Sequence, residues 1–319
     1  MQEFYYNERI NYYIIKFILF MKVLLLSPLL IVLLLTFGCS HTEGSLNNRS
    51  VDAETKSSFR AMTFNIRNDN ASDGENAWPH RKEMVAGMIR FHGVDIVGVQ
   101  EALSRQLEDL DLLLPEFSRI GVGRDADGGG EYSAILYRKS RFEVLDQGTF
   151  WLSQTPDQAG SAGWDAVLPR IATYGRFEDK NTGKKFTLLN THFDHIGEIA
   201  RIKSSELILS TLGELAGPDP VIAMGDLNTT DQDEPYEHMT QTELADGRRL
   251  LDGFYHSEEP HHGPSTTWTG FKSIVPGRRI DFIFASDDVR QLRHGILSDS
   301  MGGRFPSDHL PVVTDILLP

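Results

Sequence analysis

Six short apolar runs with the composition of buried strands constrain most strongly what this chain can fold into. They lie at residues 60–66, 95–100, 133–137, 187–190, 221–224 and 280–285. Helical periodicity appears at residues 81–91, 104–114 and 198–215. Strands and helices alternate early in the chain, and strands dominate later. This order predicts an α/β fold in which sheets pack together and helices cover them. No long linker or internal repeat interrupts residues 59–319, so we expect one domain there.

The net charge of the chain limits the classes of molecule that it is expected to bind. Of 319 residues, 31 are Lys or Arg and 45 are Asp or Glu, which gives a net charge of −14. An acidic body repels polyanions, which disfavours sequence-independent coating of nucleic acid, and nucleic acid remains a candidate only as a substrate. Cys39 is the single cysteine, so no internal disulfide can form. We expect a monomer.

The N-terminal segment has the pattern of an export signal. An apolar run at 23–37 is bounded by Met21-Lys22 and by Gly38-Cys39, and this end resembles a bacterial lipoprotein signal. We therefore expect a signal segment within residues 1–38, and our hypothesis is that translation begins at Met21. We also expect a lipid on Cys39, which would anchor the exported protein to a membrane on the periplasmic side or at the cell surface. Residues 39–58 are polar and predict a flexible tether. An uncleaved membrane anchor is the alternative, but the run is shorter than the ~20 residues that a spanning helix needs.

Polar side chains follow or interrupt these apolar runs, and one further pair precedes the apolar segment at 310–313, at positions where one would expect turn residues. They are Asn65, Glu101, His192, Asp226, Asn228, Asp281, Asp308 and His309. Any one of them alone is explained by turn chemistry. Their repetition at successive strand ends instead predicts a site built at one edge of a rigid sheet.

The same segments resemble a known family. TFNIR, VQE, NTHFDH, GDLN, RIDFIF and SDHLP occur in the order found in the endonuclease/exonuclease/phosphatase superfamily, which includes DNase-I-like nucleases, deadenylases, inositol-phosphate phosphatases and sphingomyelinases. The resemblance covers residues 59–319. It implies a four-layer α/β/β/α sandwich of two packed mixed β-sheets, the DNase-I-like fold.

The resemblance also implies a metal site. Residues matching Asn65 and Glu101 hold the metal in the family, and the residue matching Asp308 lies at or beside a metal position. An amide oxygen and two carboxylates are the hard ligands that Mg²⁺ prefers, and Mn²⁺ is a substitute. No set of His and Cys suited to zinc is present, since Cys39 lies outside the domain.

The catalytic groups follow from the same resemblance. The residue matching Asp226 is the base that orients or activates water, and Asn228 holds water or the transition state. His309 and His192 then donate hydrogen bonds to phosphate oxygens. Each histidine needs a carboxylate to fix its tautomer, and Asp281 is the candidate for His309.

Three further residues have two interpretations each. Arg170 stands where relatives often place an arginine that contacts phosphate, but a surface ion pair explains it equally well. Tyr132 is either a phosphate contact or a packing residue. Glu131 is a weaker candidate for the carboxylate that orients His192.

Together these features predict a Mg²⁺-dependent phosphoric-ester hydrolase in which water attacks phosphorus directly. A small phosphoester of the sugar or inositol phosphate type is preferred on charge grounds. A secreted or cell-surface endo- or exonuclease is the alternative enzyme. A catalytically inactive binding module on the same fold is the alternative outside enzymes, and the complete set of polar residues argues against it.

Overall fold

The computed structural model describes residues 57–319. The predicted signal segment 1–38, the lipid site at Cys39 and residues 39–56 of the predicted tether lie outside the described residues. Export and lipid anchoring therefore stay predictions. Within residues 57–319, no helix combines the length and the hydropathy that crossing a membrane requires.

Within residues 57–319, twelve strands form two six-stranded mixed sheets. The first sheet contains β1 (Phe59–Asn65), β2 (Ile96–Ala102), β3 (Phe117–Ile120), β4 (Tyr132–Arg138), β11 (Arg290–Ile296) and β12 (Val312–Leu317), in the order β11-β12-β1-β2-β4-β3. The second contains β5 (Phe142–Trp151), β6 (Ile171–Asp179), β7 (Lys184–His192), β8 (Val221–Asp226), β9 (Leu250–Asp252) and β10 (Asp281–Ser286), in the order β5-β6-β7-β8-β10-β9.

Helices cover the outer face of each sheet. They are α1 (Lys82–Phe91), α2 (Ser104–Leu113), α3 (Glu198–Ala216), α4 (Glu234–Gln241) and the single turn α5 (Gly253–His256), and two 3₁₀ turns lie at Ala71–Asn76 and Trp78–His80. The helices predicted from periodicity, at 81–91, 104–114 and 198–215, correspond to α1, α2 and α3 within one residue at each end.

Three apolar clusters hold the layers together. The central cluster lies between the sheets, where Phe59 of β1 stacks on Phe186 of β7 at 5.0 Å between ring centroids. The second cluster packs α1 and α2 against the first sheet, and the third packs α3 and α4 against the second. Because both faces of the inner strands are buried, those strands read as continuous apolar runs. The predicted four-layer sandwich is confirmed.

Six strands were not predicted: β3, β5, β6, β9, β11 and β12. Four of them, β3, β5, β9 and β11, are the edge strands of the two sheets. An edge strand is paired on one side only and carries polar residues, as the largely exposed middle of β5 does. Its apolar signal is therefore weak, and pairing with the neighbouring strand decides its conformation.

Strand direction brings the polar strand ends together. The neighbours β1 and β2 run parallel, as do β7 and β8, so each pair ends at the same edge of its sheet. The neighbours β10 and β12 run antiparallel to β8 and β1, and they begin where those strands end. In the second sheet His192, Asp226 and Asp281 are consequently side by side in register.

A buried polar link fixes the two sheets to each other below this edge. Gln100 Nε2 donates to Asn190 Oδ1 at 2.6 Å, and Asn190 Nδ2 donates to the carbonyl oxygens of Val99 and Ala134 at 3.0 and 2.9 Å. Asn190 belongs to the second sheet and the other three residues to the first. Since buried polar groups are costly when unpaired, these bonds fix the register of one sheet on the other.

Candidate active site

A cleft of about 270 Å³ opens at the edge where the strand ends meet. Its walls are Arg67, Asn68, Glu101, Arg124, Glu131, Leu168, Arg170, His192, His195, Asp226, Asn228, Trp268, Asp308 and His309. Seven of the ten predicted site residues are in this set. Of the other three, Asn65 and Asp281 are buried and hydrogen-bond to cleft residues, and Tyr132 does not line the cleft.

Asp226 is the centre of the hydrogen-bond network. It ends β8 and is 1% exposed. Its Oδ2 accepts from Asn65 Nδ2 at 2.9 Å, and its Oδ1 accepts from the backbone N–H of Asn228 at 2.9 Å. His192 Nε2 and His309 Nε2 lie 3.5 and 3.7 Å from Oδ2. Asp226 is thus held from two sides with two imidazoles facing it.

His309 is fixed by a carboxylate on its far side. Its Nδ1 lies 2.8 Å from Asp281 Oδ2, and the Trp268 ring packs edge-on against the imidazole at 4.8 Å between centroids. Burial alone would lower the pKa of His309, but the charges of Asp281 and Asp226 raise it to about 10. His309 is therefore an imidazolium at neutral pH: its Nδ1 donates to Asp281, and its Nε2 carries an N–H that faces Asp226.

The pKa of Asp226 is raised by its surroundings. Burial disfavours the carboxylate, and the nearby charge of Asp281 adds to this, so the pKa rises to about 7. A carboxyl group with a pKa near neutrality is suited to accepting a proton from water at physiological pH.

Asn65 connects Asp226 to a second carboxylate. Its Nδ2 also donates to Glu101 Oε1 at 3.0 Å, while its Oδ1 accepts from the backbone N–H of Arg67 at 3.0 Å. The other oxygen of Glu101 accepts from the backbone N–H of Asn68 at 3.1 Å. In this arrangement Asn65 positions Glu101 and Asp226, and its assignment as a metal ligand stays a prediction.

Unusual backbone conformations aim two of these side chains. Glu101 has φ +61° within an irregularity of the β2–β4 register, and Asn228 has φ +47°. Such conformations are costly for residues other than glycine and concentrate at functional sites. Gly225 is required beside them, because a Cβ there would lie 2.1 Å from the carbonyl oxygen of Thr191. The GDLN motif is thus a close strand contact followed by a tight turn.

Arg170 also lines the cleft. It is 4% exposed, so the alternative of a surface ion pair is wrong. Its Nη1 donates to His192 Nδ1 at 3.2 Å, and its Nη2 donates to His195 Nδ1 at 2.9 Å. Its Nε lies 3.4 Å from Asp194 Oδ2. Burial and the adjacent Arg124 charge lower the pKa of Arg170.

His192 is neutral in this setting. Burial and the charge of Arg170 hold its pKa well below the ordinary value. A guanidinium only donates, so Nδ1 of His192 is an acceptor, and the proton of the neutral ring resides on Nε2. That N–H faces Asp226 Oδ2 at 3.5 Å, while the neighbouring Asn228 Nδ2 donates to the carbonyl oxygen of Phe193 at 3.1 Å.

The neighbouring residues Glu131 and Tyr132 have partners other than those expected. The prediction that Glu131 orients His192 is wrong: its carboxylate accepts from Arg124 Nη1 at 2.6 Å and from Asn68 Nδ2 at 3.1 Å. The sequence does not show this pairing, because Arg124 lies outside every motif of the chain. Tyr132 donates its hydroxyl to the carbonyl oxygen of Gly128 at 3.3 Å and lines a small adjoining cavity, and its role as a phosphate contact stays a prediction.

Several cleft residues were not predicted from the sequence. They are Arg67, Asn68, Arg124, Leu168, His195 and Trp268. His195 and Asn68 belong to or adjoin the motifs THFDH and TFNIR, so proximity to a motif was an available signal. Arg124 and Trp268 stand far from every motif in the chain, and nothing in their local sequence indicates the site.

Two sets of side chains are able to hold a cation. Glu101 and Asp308 are carboxylates on the cleft wall, and burial together with the charge of Glu101 raises the pKa of Asp308. Asp226, Asp281 and His309 also offer ligand atoms within 4.8 Å of one another. The second set is already engaged in the His309–Asp281 hydrogen bond, whereas the first offers the hard oxygens that Mg²⁺ prefers.

Comparison with known proteins identifies the family. The family model described as Endonuclease/Exonuclease/phosphatase family matches residues 62–309. The solved structure of an endonuclease/exonuclease/phosphatase from Bacteroides vulgatus is 42% identical with a TM-score of 0.78, over 82% of this chain and 99% of that one. A mannosyl-6-phosphatase from Bacteroides thetaiotaomicron is 36% identical with a TM-score of 0.74, over 82% of this chain and all (100%) of that one.

Curated relatives are more distant in sequence, with identities of 22% to 27%. Human nocturnin is 22% identical over 295 residues, which cover 81% of this chain and 64% of nocturnin. This chain spans between 44% and 66% of the length of the curated relatives that it matches. The fold, the placement of the motifs and the family match agree, and this chain belongs to the endonuclease/exonuclease/phosphatase family.

Proposed function

We propose that this chain is a divalent-metal-dependent phosphoric-ester hydrolase that acts on a small phosphomonoester of the sugar phosphate type. The observation that carries the proposal is the placement of Asp226. It is buried, held by Asn65 and Asn228, faced by the Nε2 atoms of His192 and His309, and shares one cleft with two further carboxylates.

The residues divide the chemistry among them. Asp226 accepts a proton from the attacking water, and Asn228 holds that water or the reacting phosphoryl group in place. His309, as an imidazolium, donates to a non-bridging phosphate oxygen, and His192 donates from Nε2 to another. Water attacks phosphorus directly, so no covalent enzyme intermediate forms.

Glu101 and Asp308 would hold the metal, with Asn65 as the further ligand predicted from the sequence. Mg²⁺ is proposed, with Mn²⁺ as a substitute, because the ligand atoms are carboxylate and amide oxygens. A bound divalent cation would neutralise the non-bridging oxygens of the phosphate. Asn65 and Asn68 keep Glu101 oriented through their hydrogen bonds at 3.0 and 3.1 Å.

Three features support a small substrate. The cleft of about 270 Å³ is bounded by Leu168 and Trp268. The chain carries a net charge of −14. The mannosyl-6-phosphatase is 36% identical along its entire length, and we extend its substrate class, a sugar phosphate, to this chain as a proposal.

A secreted nuclease is less well supported. Long nucleic acids are bound by basic surfaces whose cations are available to phosphates. Here arginines are paired with carboxylates: Arg249 lies 2.7 Å from Glu243, and Arg279 is buried between Asp231 and Asp252 at 2.7 and 2.6 Å. An inactive binding module would not need Asp226 and its four partners in this geometry.

A substrate screen tests the proposed function. In the presence of Mg²⁺ the full chain is expected to release inorganic phosphate from mannose 6-phosphate or inositol monophosphates, and to cleave plasmid DNA, RNA and sphingomyelin far more slowly. Excess EDTA should abolish turnover, and added Mg²⁺ should restore it. Cleavage of DNA or RNA at a higher kcat/KM than any small phosphoester would reject the proposal in favour of a nuclease.

Substitution of Glu101 tests the metal assignment. Glu101→Gln is expected to raise the Mg²⁺ concentration for half-maximal activity by about 10-fold or more, because a ligand charge is lost. Glu116→Gln, at a half-exposed glutamate beside Arg138, is the matched control and should titrate like the wild type. An unchanged Mg²⁺ titration of Glu101→Gln would show that the cation binds elsewhere.

A further inference from the structure

Arg124 is a cleft residue that the chemistry described above does not use. It lines the cleft together with Arg170, and its side chain is 12% exposed. Its Nη1 donates to Glu131 Oε2 at 2.6 Å. Its Nε is buried and has no hydrogen-bond partner within residues 57–319. A buried donor without a partner is costly in a native protein and calls for an explanation.

The loop that carries Arg124 is built to hold it still. The backbone N–H of Arg124 donates to the Glu131 carbonyl oxygen at 3.1 Å, and its own carbonyl oxygen accepts from Trp151 Nε1 at 2.7 Å. Gly130 closes the hairpin at φ +75°, where a Cβ would lie 2.5 Å from Asp125 Oδ2. The glycine-rich sequence at 128–130 therefore serves to present Arg124 from a fixed backbone.

Hydrogen bonds connect Arg124, through Glu131 and Asn68, to the proposed metal ligand Glu101. Glu131 accepts from Asn68 Nδ2 at 3.1 Å, and the backbone N–H of Asn68 donates to Glu101 at 3.1 Å. Arg124 is also close enough to Arg170 for its charge to act on that guanidinium. The buried guanidinium of Arg170 and the half-buried guanidinium of Arg124 line the same cleft, each with a single carboxylate partner, and together form a place for an anion with more than one charge.

We propose that Arg124 binds a terminal oxygen of the substrate phosphate and selects phosphomonoesters over phosphodiesters. This inference rests on the proposed function and names the substrate class of the same cleft. A phosphomonoester has three terminal oxygens and a charge of about −1.5 to −2 near pH 7. A diester has two terminal oxygens and one charge, because the third oxygen carries a substituent. His309 and His192 donate hydrogen bonds to two of the terminal oxygens, and Arg124 donates to the third.

Anion binding, measured without turnover, tests this role. Calorimetry with the full chain and Mg²⁺ compares inorganic phosphate, which mimics the monoester, with dimethyl phosphate, which mimics the diester. Arg124→Gln is expected to weaken phosphate binding by about 10-fold or more and dimethyl phosphate binding by less than about 3-fold. Arg124→Lys, which keeps the charge, should retain part of the phosphate affinity. Arg119→Gln removes an arginine paired with Asp111 outside this cleft, and should change neither affinity.

A double variant separates substrate contact from structural support. Arg124→Gln leaves Glu131 without its arginine, so Arg124→Gln/Glu131→Gln removes both charges and the unpaired carboxylate. Recovery of phosphate binding in the double variant, or equal losses for both anions in the single one, would overturn the inference. A wild type that binds neither anion would also overturn it, while the substrate screen judges the proposed function separately. Selective phosphate binding without turnover of any phosphoester would support Arg124 and reject the hydrolase.

Discussion

Asp226→Asn is expected to lower kcat on the best small phosphoester by at least about 10³-fold while leaving the protein folded. The asparagine keeps the shape of the side chain and still accepts the hydrogen bond from the Asn228 backbone, but it has no basic oxygen for the proton of water. In Asp226→Asn an amide N–H₂ can replace Oδ2, the oxygen that accepts from Asn65 Nδ2, so that this hydrogen bond is lost. The measurement is kcat at saturating Mg²⁺ together with the thermal midpoint of each protein.

The matched control for this variant is a buried carboxylate outside the cleft. Asp179 is 0% exposed and pairs with Arg141 at 3.2 Å. Asp179→Asn should lower the thermal midpoint and leave kcat within about 3-fold of the wild type, because it removes an ion pair and no reacting group. Equal kcat values for Asp226→Asn and the wild type would rule out Asp226 as the base.

His309→Gln is expected to lower kcat by at least about 10²-fold, the loss typical of one donor to a developing phosphate charge. Glutamine retains a donor for Asp281 but no positive charge. The matched control is His294→Gln, at a buried histidine paired with His261 at 2.9 Å outside the cleft, which should leave kcat unchanged. A His309→Gln protein with wild-type kcat would remove this histidine from the mechanism.

Asp281→Asn tests the same pair through the pH dependence of activity. Asp226 must be ionised to act as a base, so activity rises with pH through its pKa of about 7. His309 must be protonated to donate, so activity falls as pH rises through its pKa of about 10. The charge of Asp281 raises both values, and its removal should move both limbs of the profile to lower pH. A profile in which neither limb moves would contradict the coupling.

The predictable part of the fold consists of elements whose own residues carry the signal. The inner strands β1, β2, β7, β8 and β10 are buried on both faces and read as apolar runs. The helices α1, α2 and α3 show helical periodicity. The edge strand β5 carries no such signal, because half of its surface faces solvent and pairing with β6 determines it.

The candidate site divides in the same way. The polar residues that interrupt apolar or motif-bearing segments, such as Asn65, Asp226 and His309, are visible in the sequence. Their hydrogen-bond partners are visible only in the folded protein, where Asn65 donates to both Glu101 and Asp226, and Arg124 donates to Glu131. The fold also places Arg124 and Trp268 in the cleft from loops with no local signal, and it buries Arg170, for which the sequence left a surface ion pair open. The physical reason is that a side chain's type is local, whereas its partners are set by strand order and by the packing of one sheet on the other, which join residues up to hundreds of positions apart.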